Sequence, residues 1–163
     1  PSTNTYPTRM HGRSNTRTIT ETGEYTMPIP DFGTPRYGLT KTLSNTTMEE
    51  AKERVTAALS TEGFGILTEI DVQATFAAKL GESINGYTIL GACSPALAHQ
   101  ALQSESAIGL LMPCNVVIAE QSSGELCISI ADPIAMFQPL ERPDMHDFAV
   151  DTKAQLQRAL EQM

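Results

Sequence analysis

From Leu39 onward, apolar and polar positions switch between two rhythms, a period of two and a period near 3.6, and each switch marks an element. Leu39-Thr40-Lys41-Thr42-Leu43 alternates strictly, as a short half-buried strand does. Thr46-Thr47-Met48-Glu49 reads as a capping box, after which Met48, Ala51, Val55, Ala58 and Leu59 recur at helical spacing. Gly63 can supply the left-handed stop of that helix. A second strand is expected over Phe64–Ile70, a short helix from a cap at Asp71 to a stop at Gly81, and a third strand over Tyr87–Leu90. Ser94-Pro95 marks a helix start, with Ser at the cap and Pro in the first helical position. Leu97, Ala98, Ala101 and Leu102 give that helix about three turns with one apolar face.

Ile108–Glu120 reads as a strand in which Pro113 forces an edge, a bulge or a break. Ser122-Ser123-Gly124 makes the next turn, and Leu126, Ile128 and Ile130 alternate with Cys127 and Ser129. Pro133 ends that strand, and a proline-containing loop is expected to lead to a last helix carrying Leu156, Ala159, Leu160 and Met163 on one face. The order implies an α+β fold of two layers, a mostly antiparallel sheet packed by helices.

Composition divides the chain near Tyr37. Residues 1–36 hold nine Thr, five Pro and neither Leu nor Val, with four Arg against three acids. A segment so poor in apolar residues buries too little surface to offset its own ordering entropy. It is expected to be an extended N-terminal arm, with residues 37–163 forming a single domain. Within it, Thr16, Thr18, Thr20 and Thr22 alternate with Arg17, Ile19 and Glu21, so this stretch is expected to add as a β-strand to a neighbouring subunit.

The net charge of −8 argues against a nucleic-acid partner, since that function needs a basic face. No apolar run is long enough for a membrane-spanning helix. Three Cys are too few, and odd in number, for a disulfide framework. Free thiols and an arm without an apolar leader segment point to the cytoplasm, whereas processing at Pro1 would point outside the cell or to its surface.

Four segments bear on kinship. They are Glu62-Gly63-Phe64-Gly65 leading to Thr68-Glu69-Ile70-Asp71-Val72, then Leu90-Gly91-Ala92-Cys93-Ser94-Pro95, then Ile108-Gly109-Leu110-Leu111-Met112-Pro113-Cys114-Asn115-Val116-Val117, and finally Asp132-Pro133. In order and spacing, from Tyr37 to Phe137, they resemble the bacterial and archaeal family called domain of unknown function 302. Ser94 stands where that family often has Asn, and both are good caps. The resemblance implies a compact domain of the TATA-binding-protein-like group, commonly dimeric, and it implies no activity. The arm lies outside it.

Candidate chemistry centres on two thiols. Cys93 ends a strand and precedes the helix opened by Ser94-Pro95, where amide N–H groups and the helix dipole favour a thiolate. Its structural reading is a small buried side chain at a strand–helix junction. Cys114 follows Pro113, and if the two strands are neighbours the pair could act in redox chemistry or hold a soft metal. Cys127 is expected on the opposite side of its strand, as packing. Glu69 and Asp71, one residue apart, share a strand face and could do acid–base work or bind a cation; alternatively Asp71 caps the following helix and Glu69 is solvated. His99 falls off the apolar helix face, and His146 is expected in the loop before the last helix. No phosphate loop or nucleophile elbow occurs, so the sequence points to no enzyme and selects no cofactor. Two function classes follow: a non-enzymatic binding and assembly module forming homo-oligomers, or a thiol or soft-metal protein using Cys93 and Cys114.

Overall fold

The structure, a computed structural model, describes residues 29–163 and, by backbone alone, the short strands β1 (Thr18–Ile19) and β2 (Tyr25–Thr26). Strands β3 (Gly38–Leu43), β4 (Gly65–Asp71), β5 (Tyr87–Cys93), β6 (Cys114–Glu120) and β7 (Leu126–Ala131) form one sheet in the order β3-β7-β6-β5-β4. Every pairing in it is antiparallel. Helices α1 (Met48–Thr61), α2 (Val72–Leu80), α3 (Pro95–Ser104), α4 (Pro133–Phe137) and α5 (Pro143–Gln162) complete the domain. The expected α+β architecture is therefore present.

Local chemistry sets the element ends. At the start of α1, Thr47 Oγ1 accepts the Glu50 N–H at 3.3 Å and Glu50 Oε2 accepts the Thr47 N–H at 2.8 Å. The capping box thus lies one residue beyond the expected Thr46–Glu49, because Thr-Thr and Glu-Glu make both registers legible and packing selects one. Helix α2 stops at Gly81, whose φ of 67° lies in the left-handed region that glycine enters without strain.

Two proline readings need correction. Pro113 does not interrupt a strand: residues Ser106–Leu111 form a 3₁₀ helix, and β6 begins after the proline, at Cys114. As the middle strand, β6 needs its backbone donors on both sides, so the proline is kept outside the ladder. Pro133 opens α4 rather than a loop; Asp132 caps that helix, its Oδ1 accepting the Ile134 N–H at 2.9 Å. His146 lies in the first turns of α5, which starts at Pro143.

One sheet face carries the main core. Leu90, Ala92, Val116, Ile118, Leu126, Ile128 and Ile130 pack there against Val55 and Leu59 of α1 and Leu156 and Ala159 of α5. On the same face Lys41 of β3 reaches the end of α5, its Nζ donating to the carbonyls of Leu160 at 3.2 Å and Met163 at 2.7 Å. A cation on unpaired carbonyls stabilises a helix end.

Among the described residues, the opposite face is only partly covered. Residues 29–37 run from the β6–β7 hairpin back to the start of β3. The Asp31 carboxylate accepts the Ser122 N–H at 2.8 Å, the Phe32 N–H donates to Gln121 Oε1 at 2.9 Å, and the Phe32 ring centroid lies 6.4 Å from that of Tyr87. Cys127 and Ser129, on this face, are buried. Towards β4 the cover ends: Ile89 and Val117 are half-buried, and Ile70 is 49% exposed.

Candidate functional site

Strand pairing sets Ala92 of β5 opposite Cys114 of β6, so Cys93, one residue on, stands at the same end of the sheet. Gly91 makes this approach possible. A Cβ there would press into Thr68 Oγ1 and lie 2.8 Å from Cγ of Pro113, so only a glycine lets the proline ring sit against β5 and deliver the chain to Cys114.

Cys93 and Cys114 line one pocket of about 160 Å³. Its walls come from the sheet end, the start of α3, the 3₁₀ segment, α4 and α5, with Phe64, Leu97, Met112, Met136, Phe137 and Phe148 prominent among them. The Phe137 and Phe148 rings stack at 5.9 Å, which joins α4 to α5. Behind them, Lys153 Nζ donates to the buried Asp132 carboxylate at 2.7 Å, so the residue that caps α4 also ties it to α5.

Both thiols stay protonated near neutral pH. Burial pushes Cys114 up to about 11, with the nearby Cys93 adding to the effect. Burial also raises Cys93, the direction opposite to that expected from a helix N-terminus. Cys127 lies on the other sheet face, as expected, at 3% exposure. Ser94, read as the N-cap of α3, holds that position with φ −96° and ψ 115°, yet its side chain makes no capping hydrogen bond.

The other candidates sit elsewhere. Glu69 and Asp71 do share a face, paired with Leu90 and Thr88. Asp71 Oδ1 accepts the Ala74 N–H at 2.8 Å as the cap of α2, and Glu69 Oε1 accepts from Lys52 Nζ at 2.8 Å. Lys52 also reaches Glu49 at 2.6 Å. His99 and His146 are exposed. Among the described residues, no three or more His, Cys, Asp or Glu side chains are grouped to hold a metal ion, and no helix is long and apolar enough to cross a membrane. Of the arm residues, Thr16, Thr20 and Thr22 lie outside the described residues, while Thr18 and Ile19 pair antiparallel with Thr26 and Tyr25 of the same chain.

Sequence reasoning missed Met136, Phe137 and Phe148, which carry no motif and join the pocket only once α4 and α5 fold against the sheet end.

A search of curated proteins found no relative that matches the chain. Among solved structures, the crystal structure of an uncharacterized conserved protein DUF302 from Bacillus stearothermophilus is similar: 26% identity and a TM-score of 0.73, over 78% of this chain and 98% of that one. The model of the family described as Domain of unknown function DUF302 matches residues 39–163, extending the resemblance seen in the sequence through α5. The chain therefore belongs to the DUF302 family, whose function is unknown.

Proposed function

We propose that this chain is a non-enzymatic binding and assembly module that works as a homo-oligomer. One observation carries the reading: α2 is apolar at six of its nine positions (Val72, Ala74, Phe76, Ala77, Ala78 and Leu80), yet it buries none of them. Leu80 is 65% exposed, and Leu67 and Ile70 on the adjoining strand are 63% and 49% exposed. Among the described residues β4 is an edge strand, which leaves its outer backbone groups to pair. A second copy is the occupant that fits: the only charged residue of α2 is Lys79, so two acidic chains can approach here with little repulsion. Pairing of β4 with its symmetry mate would continue the sheet through a self-complementary contact. The same charge supports the expectation that nucleic acid is not a partner.

Concentration-dependent amide exchange tests this. Protection of β4 and α2 amides should rise with protein concentration, while that of buried α1 stays constant. Equal protection of α2 at all concentrations would remove the reading. Strand addition by the arm is a further version of assembly. It rests on the alternation at residues 16–22, and the pairing of β1 with β2 competes with it.

A second reading, a thiol or soft-metal protein, is favoured by the co-location of Cys93, Cys114, Met112 and Met136 in one pocket. A soft cation bound by the two sulfurs of Cys93 and Cys114 would displace both thiol protons. Titrating the protein with Cu(I) against a colorimetric chelator tests it. Loss of sub-micromolar competition in both Cys93→Ser and Cys114→Ser would support the metal reading, and no competition by the unmodified chain would remove it.

A further inference from the structure

We infer that the β1–β2 hairpin packs on the helix-free face of its own sheet, over Ile89 and Val117, and completes the cover that residues 29–37 begin. The inference stands apart from the assembly surface, which lies at β4 and α2.

Charge placement marks that face as one to be covered. Strands β3–β7 carry four charged residues, Lys41, Glu69, Asp71 and Glu120. Directly opposed residues of an antiparallel pair share a face. Lys41 stands opposite Ile128, Glu69 opposite Leu90 and Glu120 opposite Leu126, and all three partners are core residues. Asp71 stands opposite Thr88, whose other neighbour is Ile118 of the same core. All four therefore belong to the helix-packed face, and among the described residues the strands place no charge on the other. A sheet face that meets water is ordinarily the polar one. Here the charges go to the helix side, and the helix-free face presents Ile89 opposite Val117.

The chain itself brings the occupant. Ile29, Pro30 and Phe32 share a small cavity with Tyr87 and Ala119. Ile89 and Val117 are the next residues on that face, two positions along β5 and two back along β6, about 7 Å away. Thr26, the last residue of β2, precedes Ile29 by three residues, a span of at most about 11 Å. The tether thus delivers the hairpin to the edge of the uncovered patch. Pairing sets Ile19 opposite Tyr25 and Thr18 opposite Thr26, so no charge stands among the paired residues. A two-stranded hairpin is at best marginally stable in water and needs a surface to pack on. Charge favours the arm over a second copy of the domain: residues 1–28 hold three Arg against two Glu, whereas the whole chain carries −8. Ordering the hairpin costs backbone entropy of the size that its burial recovers, so the cover opens and closes without altering the stability of the domain.

Solvent relaxation of methyl signals tests this on the full chain, with a soluble gadolinium chelate as the probe. In Ile19→Asp/Tyr25→Asp, relaxation at the half-buried Ile89 and Val117 methyls should rise about twofold over the natural chain as the cover is lost. The core methyls of Val116 and Ile118 should stay protected. The rise should be the same at every protein concentration, and the natural chain should show cross-peaks between residues 18–26 and the Ile89 or Val117 methyls. Absent cross-peaks, or relaxation unchanged by the substitutions, would overturn the inference. So would protection of these methyls that grows with protein concentration, which would make a second copy the occupant.

Discussion

At the scale of single residues, the pocket depends on where two sulfurs sit and how dry they are. Cys114 is pushed up to about 11 by burial, so its folded state favours the protonated thiol. The stability it contributes is complete below the unfolded thiol value and is lost as pH rises from about 9 to 11, a loss of roughly 3 kcal/mol. Urea unfolding at pH 8 and pH 10.5 should therefore show a steeper decline for the natural chain than for Cys114→Ala; parallel declines would contradict the burial. Gly91→Ala should cost about 1–3 kcal/mol, because the new Cβ meets Thr68 and the Pro113 ring rather than open space. Denaturant midpoints read this directly, and an unchanged midpoint would mean the proline does not rest on β5. Each thiol could be singled out from its neighbours in sequence, Ser94-Pro95 for one and Pro113 for the other. Their meeting could not, because it depends on a β5–β6 register set by the whole ladder.

At the scale of elements, caps and ion pairs hold the pocket walls in place. Thr47→Ala removes half of the capping box and should lower stability by about 1 kcal/mol, with a lower midpoint in thermal unfolding; an unchanged midpoint would contradict the cap. Lys153→Met should cost more, about 2 kcal/mol, because it leaves the buried Asp132 carboxylate without its cation. It should also loosen α4 against α5, read as faster amide exchange over α4; unchanged exchange there would show that α4 is held by the Phe137–Phe148 stack alone. Elements with strong periodicity were legible without a structure, α1 and β7 above all. Proline was the recurrent ambiguity. At Pro113 and Pro133 the same residue can stop one element or open the next, and the sequence pattern does not show that Pro113 must stay outside a central ladder while Pro133 supplies a first helical turn. The length of α5 was underestimated for a related reason: its N-terminal half packs Met145 and Ala149 against a second, smaller cluster with Ala101 and Ile108, contacts distant in sequence.

At the scale of the whole molecule, the sheet has one face closed by helices and one face shared between residues 29–37 and open apolar surface. The boundary expected at residue 36 would cut through the covering segment. Removing residues 1–28 should leave stability unchanged, whereas removing 1–36 should lower it, since Phe32, Asp31 and their partners on the hairpin are lost and Cys127 gains exposure. Equal midpoints for the two truncations would make residues 29–36 dispensable. Composition sets residues 1–36 apart from the rest of the chain, but it does not distinguish the last eight of them, whose contacts are hydrogen bonds and two half-buried rings rather than aliphatic burial.

The remaining open surface at β4 and α2 is where assembly is assigned, and the mass of the intact chain in solution tests that claim most directly. Light scattering across a concentration series should give a multiple of 17.6 kDa for the natural sequence, and Leu80→Glu should return it to one chain without altering its circular dichroism. A mass of 17.6 kDa at every concentration, or an assembly unaffected by Leu80→Glu, would contradict the account.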